Sequence, residues 1–255
     1  MKTAKTLYLV GLGLHDEGDL SLKGLEALKK AERVYFESYT SFFNGSPEEL
    51  SRLIGKEIIT LKRRDLEEHP EDNVLKAGDA ALLVMGDPLA ATTHSDLILR
   101  AKKAGVNVKV IHSSSIQSAI AETGLQLYKF GRTVTIAYPE GKYFPLSPYD
   151  YLQENKTRGL HTLCLLDVKA EENRYMTVPE AVRLLERMEE EKKQKQFGKD
   201  TLCVGAARIG GEDAVIRYGP AEKLAALDFG GPPQILIVPG RLHYMEEEML
   251  NRWKA

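Results

Sequence analysis

Short apolar runs of strand length alternate with stretches of helical period along most of the chain. Leu7–Val10, Val34–Phe36, Glu57–Leu61, Ala80–Met85 and Val106–Ile111 read as strands. Between them, Ser21 is placed to cap a helix carrying Leu22, Leu25 and Leu28 on one stripe. Ser46-Pro47-Glu48-Glu49 has the order of a helix start: a capping hydroxyl, a first-turn proline, then acids at the positive end of the dipole. Gly55 is its stop. Asp96 to Ala104 predicts a helix with Leu97, Ile98 and Ala101 on one face and Gly105 as terminator. Strands separated by helices pair in parallel through right-handed crossovers.

A second series begins near residue 113, with strands expected at Thr133–Ala137, Thr162–Leu166, Leu202–Ala207, Ala214–Tyr218 and Ile235–Val238. Only a turn around Gly210-Gly211 separates two of these, which predicts a hairpin and a mixed sheet. Ser147-Pro148 starts one helix, and Thr177-Val178-Pro179-Glu180 is a capping box that opens a long one. Glu186 to Lys195 places acids before bases, the order of a solvated helix with i to i+4 pairs. The expected architecture is therefore α/β in two domains. Residues 1–112 hold a mainly parallel sheet and residues 113–255 a mixed one, with a ligand cleft between them.

Composition adds exclusions. Apolar residues make 43% of the 255 and charged residues 28%, with a formal net charge of -2. No basic excess points to nucleic acid, and no stretch approaches the roughly 20 apolar residues of a membrane span. Met1 to Thr6 reads as a polar, basic, frayed terminus, and the run after it is too short for a signal peptide. Cys164 and Cys203 lie in separate apolar runs and read as small buried hydrophobes in a reducing cytoplasm. The six histidines show no metal-ligand spacing, so no metal is expected.

Chemistry in such folds belongs to the loops after the strands. Gly11-Leu12-Gly13-Leu14 suggests a dinucleotide fingerprint, but Asp16 stands where the third glycine belongs and Gly18 comes two residues late. In Gly86-Asp87-Pro88-Leu89, the proline holds Asp87 out of helical geometry. Its carboxylate suits a hydroxyl or amine donor, or simply a turn. His94, after Ala90-Ala91-Thr92-Thr93, reads as a structural hydrogen-bonder. Ser113-Ser114-Ser115-Ile116 offers backbone donors at a helix start and lacks the nucleophile elbow of a hydrolase. Asp167 and Lys169 read as a solvated pair.

The order of these loops is more specific than any one of them. GLGL, GDPLAATTH, HSSSIQSA, LYKFGRTVTIAYPEG, LHTLCLLDVKAEENRYM and PPQILIVPGRLH follow one another from Leu7 to about Tyr244. In that succession the chain closely resembles the archaeal diphthine synthases, relatives of the tetrapyrrole methylases. The resemblance implies two α/β domains of the tetrapyrrole methylase type and S-adenosyl-methionine as methyl donor, with S-adenosyl-homocysteine as product. It implies an aminocarboxypropyl-modified histidine of translation elongation factor 2 as the trimethylated group, a homodimer, and a cytoplasmic setting. Carried residue by residue, it assigns cofactor contacts to Leu14, Asp87, Ala90, Ser115, Ile116, Leu166, Ala206, Ala207 and Gln234.

A sulfonium is already a good leaving group, so such an enzyme has to position a neutral amine in line with it and limit water. No catalytic residue is assigned on that basis, and a side-chain base is left open. Tyr128, Tyr138, Tyr143 and Phe144 are candidates to face a growing quaternary ammonium. Two alternatives stand beside this reading: a tetrapyrrole methyltransferase of the same fold, and a nucleotide-binding regulatory domain without chemistry.

Overall fold

The computed structural model describes residues 5–76 and 78–255. Of the segment read as a frayed terminus, Met1 to Ala4 lie outside the described residues. The chain forms two compact units, one ending at Gln117 and the other covering Ser118–Ala255.

In the first unit, β1 (Thr6–Gly11), β2 (Arg33–Glu37), β3 (Ile58–Leu61), β4 (Ala80–Val84) and β5 (Asn107–Ile111) form one sheet. Its order is β3-β2-β4-β1-β5 and every pairing is parallel. All five residues of β4 are buried, as an unbroken apolar run in a parallel sheet requires. Alternate side chains go to opposite faces. Leu7, Leu9, Leu82 and Val84 pack with Leu97 and Ala101 of α4 (His94–Lys103). Val10, Ala81 and Leu83 pack with Ala27 and Leu28 of α1 (Leu22–Lys30) and with Leu50 and Ile54 of α2 (Pro47–Ile54). The expected caps form: Ser21 Oγ accepts from Gly24 N, Ser46 Oγ accepts from Glu49 N, and Gly55 closes α2 at φ 70°. A short α3 (Arg63–Glu67) was not foreseen; five residues are too few to show a period. Helix α5 (Ile116–Ala119) carries the chain from one unit into the other.

The helix after β1 and the helix after β4 thus lie on opposite faces, although their strands are neighbours. The chain parts at the carboxyl ends of β1 and β4, which is where sheets of this kind open a crevice for a ligand.

In the second unit, β6 (Val134–Ile136), β7 (Thr162–Leu166), β10 (Leu202–Ala207), β11 (Val215–Pro220) and β12 (Gln234–Val238) are ordered β11-β10-β12-β7-β6. Only β6 and β7 pair in parallel, so the sheet is mixed, and β10–β11 is the expected hairpin. A two-stranded ribbon, β8 (Val168–Lys169) with β9 (Arg174–Tyr175), is additional. Helices α6 (Ser147–Thr157) and α7 (Val178–Lys192) cover the sheet, and α8 (Ala221–Leu224) and α9 (Tyr244–Leu250) complete the unit. Tyr149, Leu152, Val182, Leu185 and Met188 pack on Cys164, Leu166, Cys203 and Leu236. Both cysteines are free and buried, and burial pushes the Cys164 thiol up to about 12.

Two expectations need correction. Helix α7 ends at Lys192, with Lys193 left-handed at φ 53°, so Glu186–Lys195 is not one solvated helix. Glu189 turns back to accept from the amides of Lys195, Gln196 and Phe197 and from Tyr149 Oη. Asp167 and Lys169 are not paired either: Asp167 accepts from Tyr138 N, and Lys169 Nζ reaches Glu140 at 3.1 Å.

No helix among the described residues is long and apolar enough to cross a membrane. No group of three or more His, Cys, Asp or Glu among them is arranged to hold a metal ion.

Candidate functional site

The loops after β1, β4 and β5 are drawn together by a missing side chain. A Cβ on Gly11 would stand 2.6 Å from the Gly86 carbonyl oxygen and 2.7 Å from Ser113 Cβ, so glycine lets three loops touch at one point. Two residues on, Gly13 and Gly86 exchange backbone hydrogen bonds, Gly86 N to Gly13 O at 2.7 Å and Gly13 N to Gly86 O at 3.3 Å. The β1 loop then curls over Asp19, whose Oδ2 accepts from Leu14 N at 3.0 Å and His15 N at 2.8 Å. A single 3-10 turn over Glu17–Asp19 follows, capped by Asp16. The glycine pair therefore serves loop packing, and the residues where a dinucleotide fingerprint would start its helix form this turn instead.

Asp87 joins the same three loops through its carboxylate. Oδ1 accepts from Leu89 N at 3.0 Å, and Oδ2 accepts from Ser113 N at 3.2 Å and from His112 Nδ1 at 2.7 Å. Burial raises the Asp87 pKa, but these hydrogen bonds and the His112 ring outweigh it and hold the carboxyl below its ordinary value. The Asp87 side chain is 13% exposed, whereas the His112 ring is 69% exposed.

Behind this loop the rest of GDPLAATTH has a mechanical explanation. Thr92 Oγ1 donates to the Pro88 carbonyl at 2.6 Å, and His94 Nδ1 meets the same oxygen at 3.1 Å. His94 Nε2 in turn lies 3.3 Å from Oε2 of Glu37, a carboxylate with no solvent exposure at the end of β2. The expected structural role of His94 is the one seen. Glu37, its support, carried no sequence signal, because it sits in an apolar strand 57 residues upstream.

The predicted cofactor positions fall into two groups, one in each unit. Leu14, Asp87, Ala90 and Ser115 lie in the loops beyond the carboxyl ends of β1, β4 and β5, Ile116 opens α5 just after them, and all five are partly exposed. In the second unit, strand register brings Leu166, Ala206, Ala207 and Gln234 to one end of the sheet. Gln234 pairs with Ala207, and its neighbour Ile235 pairs with Leu165. These four residues are buried. The Gln234 side chain is anchored at both polar atoms: Oε1 accepts from Val178 N at 2.8 Å and Nε2 donates to Gly230 O at 2.8 Å.

Of the four candidate aromatics, two have a ring face taken by the protein itself. The Arg174 guanidinium lies 3.6 Å from the Tyr138 ring centre, and that of Arg187 lies 4.2 Å from the Phe144 ring centre. Tyr128 and Tyr143 are 81% and 69% exposed, as surface residues rather than a closed wall. The serine run contributes the Ser113 amide to Asp87, and neither ring nitrogen of His94 is bonded to a serine hydroxyl.

Residues 6–225 match the family model described as Tetrapyrrole (Corrin/Porphyrin) Methylases. The chain belongs to this family. Within it, the chain is 45% identical to the diphthine synthase of Methanocaldococcus jannaschii, with 96% of this chain and 97% of the relative covered. It is 42% identical to the diphthine methyl ester synthase of Schizosaccharomyces pombe, covering 96% and 93%. A solved diphthine synthase structure superimposes with a TM-score of 0.88 at 36% identity, covering 98% of this chain and 96% of that one. Family and relatives together make the chain a methyltransferase of the diphthine synthase branch. His112 opens the HSSSIQSA segment, and no spacing in the sequence gives it a role. Its signal was position: it is the first residue after β5.

Proposed function

We propose that this protein transfers methyl groups from S-adenosyl-methionine to the amino group of 2-(3-carboxy-3-aminopropyl)-histidine on translation elongation factor 2. The product is diphthine, a step in diphthamide biosynthesis, and the setting is the cytoplasm. The observation that carries the reading is the near full-length identity to diphthine synthases from an archaeon, with a eukaryotic diphthine methyl ester synthase close behind.

The residues present suit the donor. Leu14, Ile116 and Leu166 offer apolar surface, Ala90, Ala206 and Ala207 leave room for backbone approach, and Ser115 and Gln234 complete the proposed contacts. When bound, S-adenosyl-methionine supplies an electrophilic methyl group on a cationic sulfonium. The ionised Asp87 puts a negative charge in the same loop cluster, which favours a cation nearby. An ionised carboxylate has about four lone-pair sites. Three protein donors fill three of them, leaving room for one donor from the ligand.

Incubation with elongation factor 2 carrying the modified histidine, followed by mass spectrometry, tests the proposal. A gain of three methyl groups on that residue is expected, with none on the unmodified factor. A fourth, base-labile methyl would instead match the product named for the yeast relative. Methylation of a tetrapyrrole and not of the factor would overturn the substrate assignment.

A further inference from the structure

An amine methyltransferase has a proton problem that its donor does not solve. An alkyl ammonium titrates between about pH 8 and about pH 10, so at neutral pH its nitrogen lone pair is mostly occupied. In each transfer a new N–C bond forms to the methyl carbon as the C–S bond breaks, its electron pair going to sulfur. One proton has to leave nitrogen before each of these events, three in all on the way to a quaternary ammonium. The proposed chemistry therefore gains from a proton acceptor at the site that can pass its proton to water between rounds.

We propose that His112, oriented by Asp87, is that acceptor. The inference rests on the reading of the chain as an amine methyltransferase, but its geometry stands on its own. Asp87, being ionised, can only accept hydrogen bonds. The 2.7 Å contact therefore assigns the proton between them to His112 Nδ1. In the neutral ring that leaves the lone pair on Nε2, the nitrogen on the opposite side. Nε2 has no hydrogen-bond partner among the described residues, and the side chain is 69% exposed. One end of the imidazole is fixed and the other is open, which is the arrangement by which a carboxylate sets the tautomer of a histidine base.

The surroundings do not compete for this role. The charged group paired with His112 is Asp87, from the loop after β4. In the β1 loop, Asp19 is bonded to Leu14 N and His15 N, and Asp16 to Gly18 N. His94, on the next element, is buried, with Nδ1 on the Pro88 carbonyl and Nε2 against Glu37. The position matches the site as well, because His112 is the first residue past β5 and Ser113 touches the Gly11 contact point. Release of the accepted proton needs no further group, since the ring lies at the solvent boundary.

The test compares wild type with His112→Asn and His112→Ala across pH 6.5 to about 10. Removing a base of this kind typically costs at least about a hundredfold. We expect kcat at pH 7 to fall by about that factor. The deficit should shrink to less than about threefold near pH 10, where the substrate amine is already free base. The cofactor dissociation constant, measured by calorimetry, should stay within about twofold. A purely structural histidine would give a deficit that does not change with pH. That outcome, or wild-type rates in both variants, would overturn the proposal. An independent readout needs no turnover: nitrogen-15 NMR of the free protein should show His112 as the Nδ1–H tautomer, and the Nε2–H form would also overturn it. If wild type methylates no modified elongation factor at any pH, the functional reading fails and the acceptor role falls with it. If wild type is active and the variants match it throughout, only the acceptor role fails.

Discussion

With three of its lone-pair sites filled by His112, Leu89 N and Ser113 N, the Asp87 carboxylate links loops that lie 25 residues apart in the chain. Removing it releases these donors together and takes a negative charge from the cluster. A charge-assisted hydrogen bond contributes about 1.5–3 kcal/mol. Asp87→Ala is therefore expected to weaken S-adenosyl-methionine binding by about tenfold to a hundredfold in a calorimetric titration. Ser113→Ala should change affinity and turnover little, because Asp87 is held by the serine's backbone N–H and not by its hydroxyl. Normal binding by Asp87→Ala together with loss of turnover in Ser113→Ala would reverse the assignment and reopen a nucleophilic serine. The sequence marked Asp87 through the Gly86 and Pro88 that flank it. It could not show that His112 and Ser113 are its donors, because those contacts form only when β4 and β5 line up on either side of β1.

At the scale of elements, the principal strands were readable because most are compact apolar runs, and the inner parallel strands β1 and β4 are buried on both faces. The caps at Ser21, Ser46 and Thr177 were readable for the same local reason, since each bonds an amide three residues on. The β8–β9 ribbon was not, being two residues a side. Carboxylates that work at a distance were not readable either. Glu189 looked like one acid in a charged run, yet its partner Tyr149 lies on α6, 40 residues earlier. Glu246 is the stronger case. It caps α9 through His243 N, accepts from Gln126 N at 2.9 Å and pairs with Lys129 Nζ, all while only 1% exposed. His161 Nε2 donates to it at 2.9 Å, while His161 Nδ1 accepts from Gly240 N at 2.9 Å, so that ring is fixed in its neutral form. Burial raises the Glu246 pKa, but the bonds from Lys129, Gln126, His243 and His161 outweigh it and bring it to about 2. Burial also holds the His161 imidazole below its ordinary value, against the pull of Glu246. A depressed carboxylate contributes stability that is present above its unfolded value near pH 4.3 and is lost as pH falls towards about 2. A depressed histidine acts in the same direction, favouring the fold above its unfolded value near pH 6.5 and opposing it below. Unfolding free energy from urea titrations should therefore fall between pH 7 and pH 3, with Glu246 contributing about 2 kcal/mol of that loss. Glu246→Gln should be less stable at pH 7 and show a shallower loss towards acid. An equal acid slope in the variant would remove Glu246 from this account.

For the whole molecule, two series of strands and helices form two five-stranded sheets, one parallel and one mixed, because the hairpin signal at Gly210-Gly211 occurs only in the second series. What the pattern cannot carry is assembly. An interface is assembled from surface residues of many elements, and no period or spacing marks them. Single exposed apolar side chains such as Leu22 or Leu99 are ordinary on a protein surface and specify no partner. The homodimer therefore enters from the family resemblance, supported by the general preference of homo-oligomers for closed two-fold symmetry. A two-fold dimer of ordinary size buries about 800 Å² on each subunit. Such an interface, if well packed, holds at low micromolar concentration, because its affinity is set by a few buried anchors rather than by area alone. Sedimentation equilibrium at that concentration should accordingly return about twice the 28.5 kDa chain mass, and the value should not fall on several-fold dilution. A single species at the chain mass would show that the methyltransferase acts as a monomer. Any contribution of a second copy to docking of the elongation factor would then be ruled out.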